Sequence, residues 1–115
     1  MFTFKEGRQG AGYEVMTLFS VKLPFAKLRG FDLHVLRYKS GTNIPSHVDK
    51  VASGKHHRIN WVIKHPVRGG KFRCDHCHRV TKNIIYFRPD LYHHEVTKVR
   101  GGSRVAISFG WVTDN

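Results

Sequence analysis

The sequence predicts an all-β chain folded as a jelly roll, and three observations lead there. Short alternating stretches rich in Val, Ile, Phe, Tyr and Trp recur along the whole length. Clusters of Gly, Pro, Asn, Asp and Ser separate them at short intervals. No segment carries an apolar stripe at helical spacing over three turns. Many short strands with Gly/Pro turns close best into a sandwich or barrel, and a jelly roll folds two sheets onto each other so that few edges stay open.

Strands are expected at Gly12–Val21, Phe31–Lys39, His56–Lys64, Lys71–Cys74, Asn83–Arg88, His94–Val99 and Arg104–Val112. Lys22–Arg29 has room for one short turn of helix, limited by Pro24. The 115 residues suffice for a single domain spanning 1–115, with the jelly-roll core over 31–112. Residues 1–30 are expected as a supporting segment lying across the outside of one sheet.

Composition narrows the function classes. Forty per cent hydrophobic residues fit a folded globule and exclude a disordered tail. No run of about 18 apolar residues occurs, and the N-terminus lacks the apolar stretch of a secretory signal, so the expected compartment is the cytoplasm, without membrane contact. Twenty Lys+Arg against 8 Asp+Glu give a net charge of +12, a balance that attracts polyanions. The basic residues are scattered and form no block.

Three residues suggest a metal. His47 and Asp49 form an H-x-D pair, and residues two apart on an extended segment point the same way. H-x-D alone is a weak signal. A third ligand is expected from His94, with His93 (as H-x-E with Glu95) the alternative. Two histidines and one carboxylate make the facial triad that suits non-haem Fe(II) with open positions. In the last strand, alternation puts Arg104, Ala106, Ser108 and Gly110 on one face. A guanidinium followed by small residues reads as an anion site, because a buried guanidinium needs a carboxylate partner.

Five motifs in order then carry a resemblance: Arg37-Tyr38-Lys39-Ser40-Gly41, His47-Val48-Asp49, Gly69-Gly70-Lys71-Phe72, His94-Glu95-Val96 and Gly102-Ser103-Arg104. From about Phe31 to Trp111 the chain resembles the 2-oxoglutarate/Fe(II)-dependent oxygenase superfamily. The first two motifs are similar to AlkB-type demethylases, the last two to prolyl 4-hydroxylases. The resemblance implies a double-stranded β-helix with Fe(II) on His47, Asp49 and His94. It also implies 2-oxoglutarate between the metal and Arg104, a hydrogen bond to it from Tyr38, and O2 as oxidant. The implied activity is a dioxygenase that hydroxylates a substrate, such as a peptidyl proline, while 2-oxoglutarate becomes succinate and CO2. A nucleic-acid substrate, or a basic nucleic-acid-binding β-barrel without enzymatic activity, is the alternative. Relatives carry helices against one sheet. Here either the fold is minimal or a partner chain, such as a second copy in a homodimer, covers that sheet.

Cys74-Asp75-His76-Cys77-His78 is the remaining feature. The C-x-x-C pair is read as a metal-free turn, with zinc at Cys74 and Cys77 as the other reading. Substrate choice is expected in the loops Lys50–His57 and Asp75–Lys82.

Overall fold

The computed structural model describes residues 3–6, 13–23, 27–49, 51 and 54–114. Ten strands are present among them: β1 (Lys5–Glu6), β2 (Tyr13–Lys22), β3 (Leu28–Tyr38), β4 (Ile44–His47), β5 (Lys55–Lys64), β6 (Phe72–Cys74), β7 (His78–Thr81), β8 (Ile84–Phe87), β9 (His94–Val96) and β10 (Arg104–Thr113). A seven-stranded sheet runs β1-β2-β3-β10-β5-β8-β7, and a three-stranded sheet runs β4-β9-β6. All pairings are antiparallel. The two sheets form the double-stranded β-helix that the turn-rich, alternating sequence predicts.

The seven expected strands are all present, with ends shifted by a few residues. Three were not anticipated. β1 is two residues long, and β7 is exposed along its whole length, so neither carries an apolar alternation. β4 contains Pro45, which argues against a strand until the bulge around it is seen. Two expectations need correction. Residues 13–22 do not lie across the outside of a sheet; β2 pairs along β3 from Tyr13↔Tyr38 to Lys22↔Gly30 and widens the large sheet edge to edge. Ten alternating residues offer a full ladder of backbone donors and acceptors, and pairing satisfies them better than packing across a face. Lys22, Leu28 and Arg29 are strand residues, so the helical turn does not span Lys22–Arg29. Its centre, residues 24–26, falls outside the described residues. Among those described, no helix is long and apolar enough to cross a membrane.

The central strand β10 sets what the interior can hold. Arg104, Ala106, Ser108 and Gly110 are buried, while Phe109 between them is 37% exposed. β5 alternates in the same sense. Asn60 and Val62 are buried, and Trp61 and Ile63 face out. The larger apolar side chains of these two strands therefore lie on the outer face. The apolar core gathers where the two sheets meet, from Tyr38, Ile44, Phe72, Ile85, Phe87, Val96 and Val99. Each large side chain buried there contributes about 1.5–3 kcal/mol of transfer free energy.

The loop before β6 needs a backbone only glycine adopts without strain. Gly69 has φ +64°, and a Cβ there would overlap the carbonyl oxygen of Lys98. Gly41 also has positive φ but faces open space. Gly69→Ala is therefore expected to lose about 2–3 kcal/mol in chemical denaturation, against about 1 kcal/mol for Gly41→Ala. Equal losses would show that the Lys98 contact adds nothing.

Candidate metal centre

The three donors come from the small sheet and the segment that leaves it. β4 and β9 pair with a register shift, Ile44↔Val96 and then His47↔His94, so β4 holds one residue more than its partner. This is a bulge, and the sequence gives it a cause: Pro45 has no N–H for the ladder. Bulges re-aim side chains, and this one sets His47 directly opposite His94. The ring centroids are 4.3 Å apart. Asp49 is held by its own N–H, which donates to the carbonyl of Pro89 at 2.7 Å.

His47 Nε2 lies 3.5 Å from Asp49 Oδ1, and His94 Nε2 lies 3.2 Å from Asp49 Oδ2. One donor atom from each residue falls within 4.8 Å of the other two, the only such group among the described residues. The other ring nitrogens explain the orientation. His47 Nδ1 sits 2.8 Å from the carbonyl of Pro45, and His94 Nδ1 sits 3.0 Å from that of Tyr92. A carbonyl only accepts, so each Nδ1 carries the proton, which leaves Nε2 as the ring atom that faces Asp49 and is available to a cation. Two imidazole nitrogens and a carboxylate this close together form a donor set that could hold a cation. Such outer hydrogen bonds are what fix metal-ligating histidines.

His94 side-chain exposure is 8%, whereas His93 is 62% exposed and lies 3.8 Å from Asp75. Alternation along β9 turns His94 and Val96 inward, so the structure brings together His47, Asp49 and His94 and leaves His93 outside.

A cavity of about 290 Å³ opens beside the three donors. Its opposite wall is polar and was not anticipated. Arg58 pairs with Asp32 and donates to Ser108 Oγ at 2.7 Å, and Ser108 donates to Asn60 Oδ1 at 2.5 Å. His34 Nε2 lies 3.0 Å from Asp32 Oδ1, and its Nδ1 lies 3.0 Å from the Thr17 hydroxyl. Burial raises the Asp32 carboxyl, but His34 and Arg58 outweigh that and hold it below its usual range. Gly110 makes room for this network, because a Cβ there would overlap the Arg58 guanidinium. A signal existed in the sequence. His56, Arg58, Asn60 and Val62 share one phase of β5, the phase opposite to Ile59, Trp61 and Ile63.

Tyr38 lines the same cavity and is buried, which pushes its hydroxyl up to about 12, so it stays a donor. Arg104 lies behind it. The guanidinium carbon is 5.1 Å from the Tyr38 ring centroid, and Arg104 is 2% exposed. Its Nη1 has no hydrogen-bond partner among the described residues. Burial lowers its pKa, and Tyr38 opposes that only in part. Arg104 lines a second cavity and is not among the residues lining the first.

Cys74 and Cys77 contact each other, and burial with this contact pushes the Cys77 thiol up to about 12. Among the described residues no third donor joins them, so the geometry gives no support to zinc there.

The sequence matches no family model and no curated protein. Solved structures do resemble it. A Pseudomonas putida prolyl-4-hydroxylase superposes with TM-score 0.67 at 16% identity, covering 97% of this chain and 78% of that one. A chain of the Rhodobacter sphaeroides SigE complex with the anti-sigma ChrR gives TM-score 0.51 at 16% identity, covering 95% and 47%. An RmlC-like cupin from Ralstonia eutropha gives TM-score 0.53 at 14% identity, covering 98% and 64%. The chain thus shares the jelly-roll fold of these structures and carries a His-Asp-His group able to hold a metal ion.

If the group holds a divalent metal ion, His47→Ala, Asp49→Ala and His94→Ala are each expected to abolish its tight binding, read with Fe(II) in anaerobic calorimetry, and His93→Ala to leave it intact. Full affinity in the His94 variant would remove that residue from the centre.

A pH effect follows from His56, which lines the same cavity and whose pKa burial lowers to about 4. Between pH 4 and the ordinary value near 6.5, the unfolded chain binds a proton there that the folded chain does not. The contribution of His56 to stability is thus complete above about pH 6.5 and lost as pH falls towards 4. Denaturation curves of His56→Gln should show a shallower loss across that window than the parent chain; identical slopes would contradict it.

Proposed function

We propose that the chain is an Fe(II)- and 2-oxoglutarate-dependent dioxygenase that hydroxylates its substrate. The observation that carries the reading is the convergence of His47, Asp49 and His94, with both Nε2 atoms turned onto one carboxylate. A 2-His-1-carboxylate set leaves coordination positions open, which suits non-haem iron better than a closed structural site. Arg104 adds support. A buried guanidinium with an unpaired Nη1 calls for an anion, and the far carboxylate of 2-oxoglutarate is one. Iron and 2-oxoglutarate, when bound, supply the oxidising chemistry, in which O2 is consumed and succinate and CO2 are released.

The chain's own residues do the positioning. His47, Asp49 and His94 would hold the iron on one wall of the cavity. Tyr38, a protonated donor, and Arg104 would fix the co-substrate from below. The Asp32–Arg58–Ser108–Asn60 network would hold the opposite wall rigid and polar, where a substrate group with hydrogen-bonding capacity is favoured over an apolar one. A peptidyl residue such as proline is the substrate class this reading favours, in keeping with the hydroxylase among the similar structures. The loops at 50–57 and 75–82 are the places where substrate choice would be made.

One observation favours a second reading. Arg104 lines the second cavity instead of the first, as suits a metal-binding cupin that uses no 2-oxoglutarate.

Anaerobic addition of 2-oxoglutarate to the Fe(II) protein decides between them. The dioxygenase reading expects a weak visible charge-transfer band and, on admitting O2, release of succinate. Arg104→Ala should weaken 2-oxoglutarate by about 2–4 kcal/mol, the usual cost of breaking a buried charge-assisted pair, and Arg104→Lys by less. Iron binding with neither band nor succinate would leave the cupin reading standing.

A further inference from the structure

A second cavity, of about 590 Å³, holds none of the three metal donors. Arg68 and Lys71, in the loop leading to β6, line it together with Arg79 and Lys82, in and after β7. Arg104 lies at its wall beside Phe72. No carboxylate lines it among the described residues.

Four arginines elsewhere do have a carboxylate partner. Arg37 pairs with Glu14, Arg58 with Asp32, Arg88 with Asp90 and Arg29 with Asp114. Among the described residues, the hydrogen-bond partner of Arg79 is the carbonyl of Phe72, at 3.5 Å. Arg104 is the sharpest case, being 2% exposed with Nη1 unpartnered among the described residues. Burying a guanidinium without an anion costs several kcal/mol, so a chain that keeps one there gains something by meeting its partner.

We propose that this cavity is a binding site for a phosphate group, free or carried on a larger ligand, with Arg104 as its buried end and Arg68, Lys71, Arg79 and Lys82 around it. Two features favour phosphate over a carboxylate. A phosphate presents several acceptor oxygens at once, matching a cavity lined by several cations. Arginine forks also pair with it bidentately, and three of the five cations are arginines. The guanidinium has five N–H donors, so Tyr38 on one side and a phosphate on the other do not exclude each other. The site requires neither iron nor 2-oxoglutarate, but it takes the Arg104 guanidinium that the dioxygenase reading gives to the far carboxylate, so the two anions exclude each other there.

Titration of the metal-free full chain with inorganic phosphate, followed by phosphorus NMR and calorimetry, tests it. Saturable binding is expected. Arg104→Gln should weaken it by about tenfold or more, with Arg104→Lys recovering part of the loss. The doubly substituted Lys71→Glu/Lys82→Glu chain changes only exposed side chains, should weaken binding at least as much, and decides the matter if Arg104→Gln fails to fold. His47→Ala should leave phosphate affinity unchanged. A short oligonucleotide with a 5′ phosphate that binds more tightly than its unphosphorylated twin would assign the phosphate to a polymer end. Equal binding of the twins, with inorganic phosphate still taken up, would assign the free ion. The proposal is overturned by absence of saturable phosphate binding, or by binding that survives the Lys71→Glu/Lys82→Glu change. Loss of binding in His47→Ala would also overturn it, because the anion would then belong to the first cavity.

Discussion

Small side chains on the inner face of one strand are the constraint on which this structure rests. β10 lies at the centre of the large sheet, and after Arg104 its inward residues are Ala106, Ser108 and Gly110. Larger residues there would fill the space between the sheets and close the cavity. Because they are small, Arg58 can lie over Gly110 and bond Ser108, and Asn60 can take the Ser108 hydroxyl. A polar wall forms where a jelly roll would otherwise pack apolar residues. The metal donors face that wall from the small sheet. Volume withheld from the core thus becomes volume for a ligand, and the apolar packing is confined to the cluster around Phe72 and Val99.

The same allocation explains how the two sheets divide the work. The large sheet carries long ladders, nine or more residue pairs between β10 and each neighbour, each with one register shift near an end. The small sheet has strands of three or four residues and contains the bulge that sets His47 against His94. The candidate ligands thus come from the shorter sheet, where a bulge aims a side chain, and face the wall that the longer sheet provides.

How much of this was legible follows from the range of each signal. The inward phase of β10 could be read because alternation is local and Arg104 marks one face. His47, Asp49 and His94 could be read through their order along the chain, and His94 could be preferred to His93 only by resemblance; the burial of one and exposure of the other now give the physical ground. The bulge at Pro45 was hidden, since a proline ordinarily argues against a strand. The Arg58 network was missed for a related reason. Ile59, Trp61 and Ile63 look like the core face of β5, yet in this barrel they face outward while Arg58 and Asn60 face in. Alternation tells which residues share a face, but only pairing with β10 tells which face is inside. The position of Arg104 at the second cavity was likewise beyond the sequence, because it depends on the mid-chain segments 65–72 and 79–85 that meet it there.

The outward face of the large sheet has a colloidal consequence. Trp61 and Ile63 are each 49% exposed there, and Phe109 is 37% exposed beside the stacked pair His57 and Trp111. A bare aromatic surface of this kind draws copies of a protein together. The net charge of +12 acts the other way, since two such chains repel each other at distances where apolar contact has not begun. That repulsion reaches about 10 Å in 0.1 M salt but only about 3 Å at 1 M. Ionic strength therefore decides which force meets an approaching copy first, and the charge that favours anions also keeps the aromatic face apart from its own kind in dilute salt.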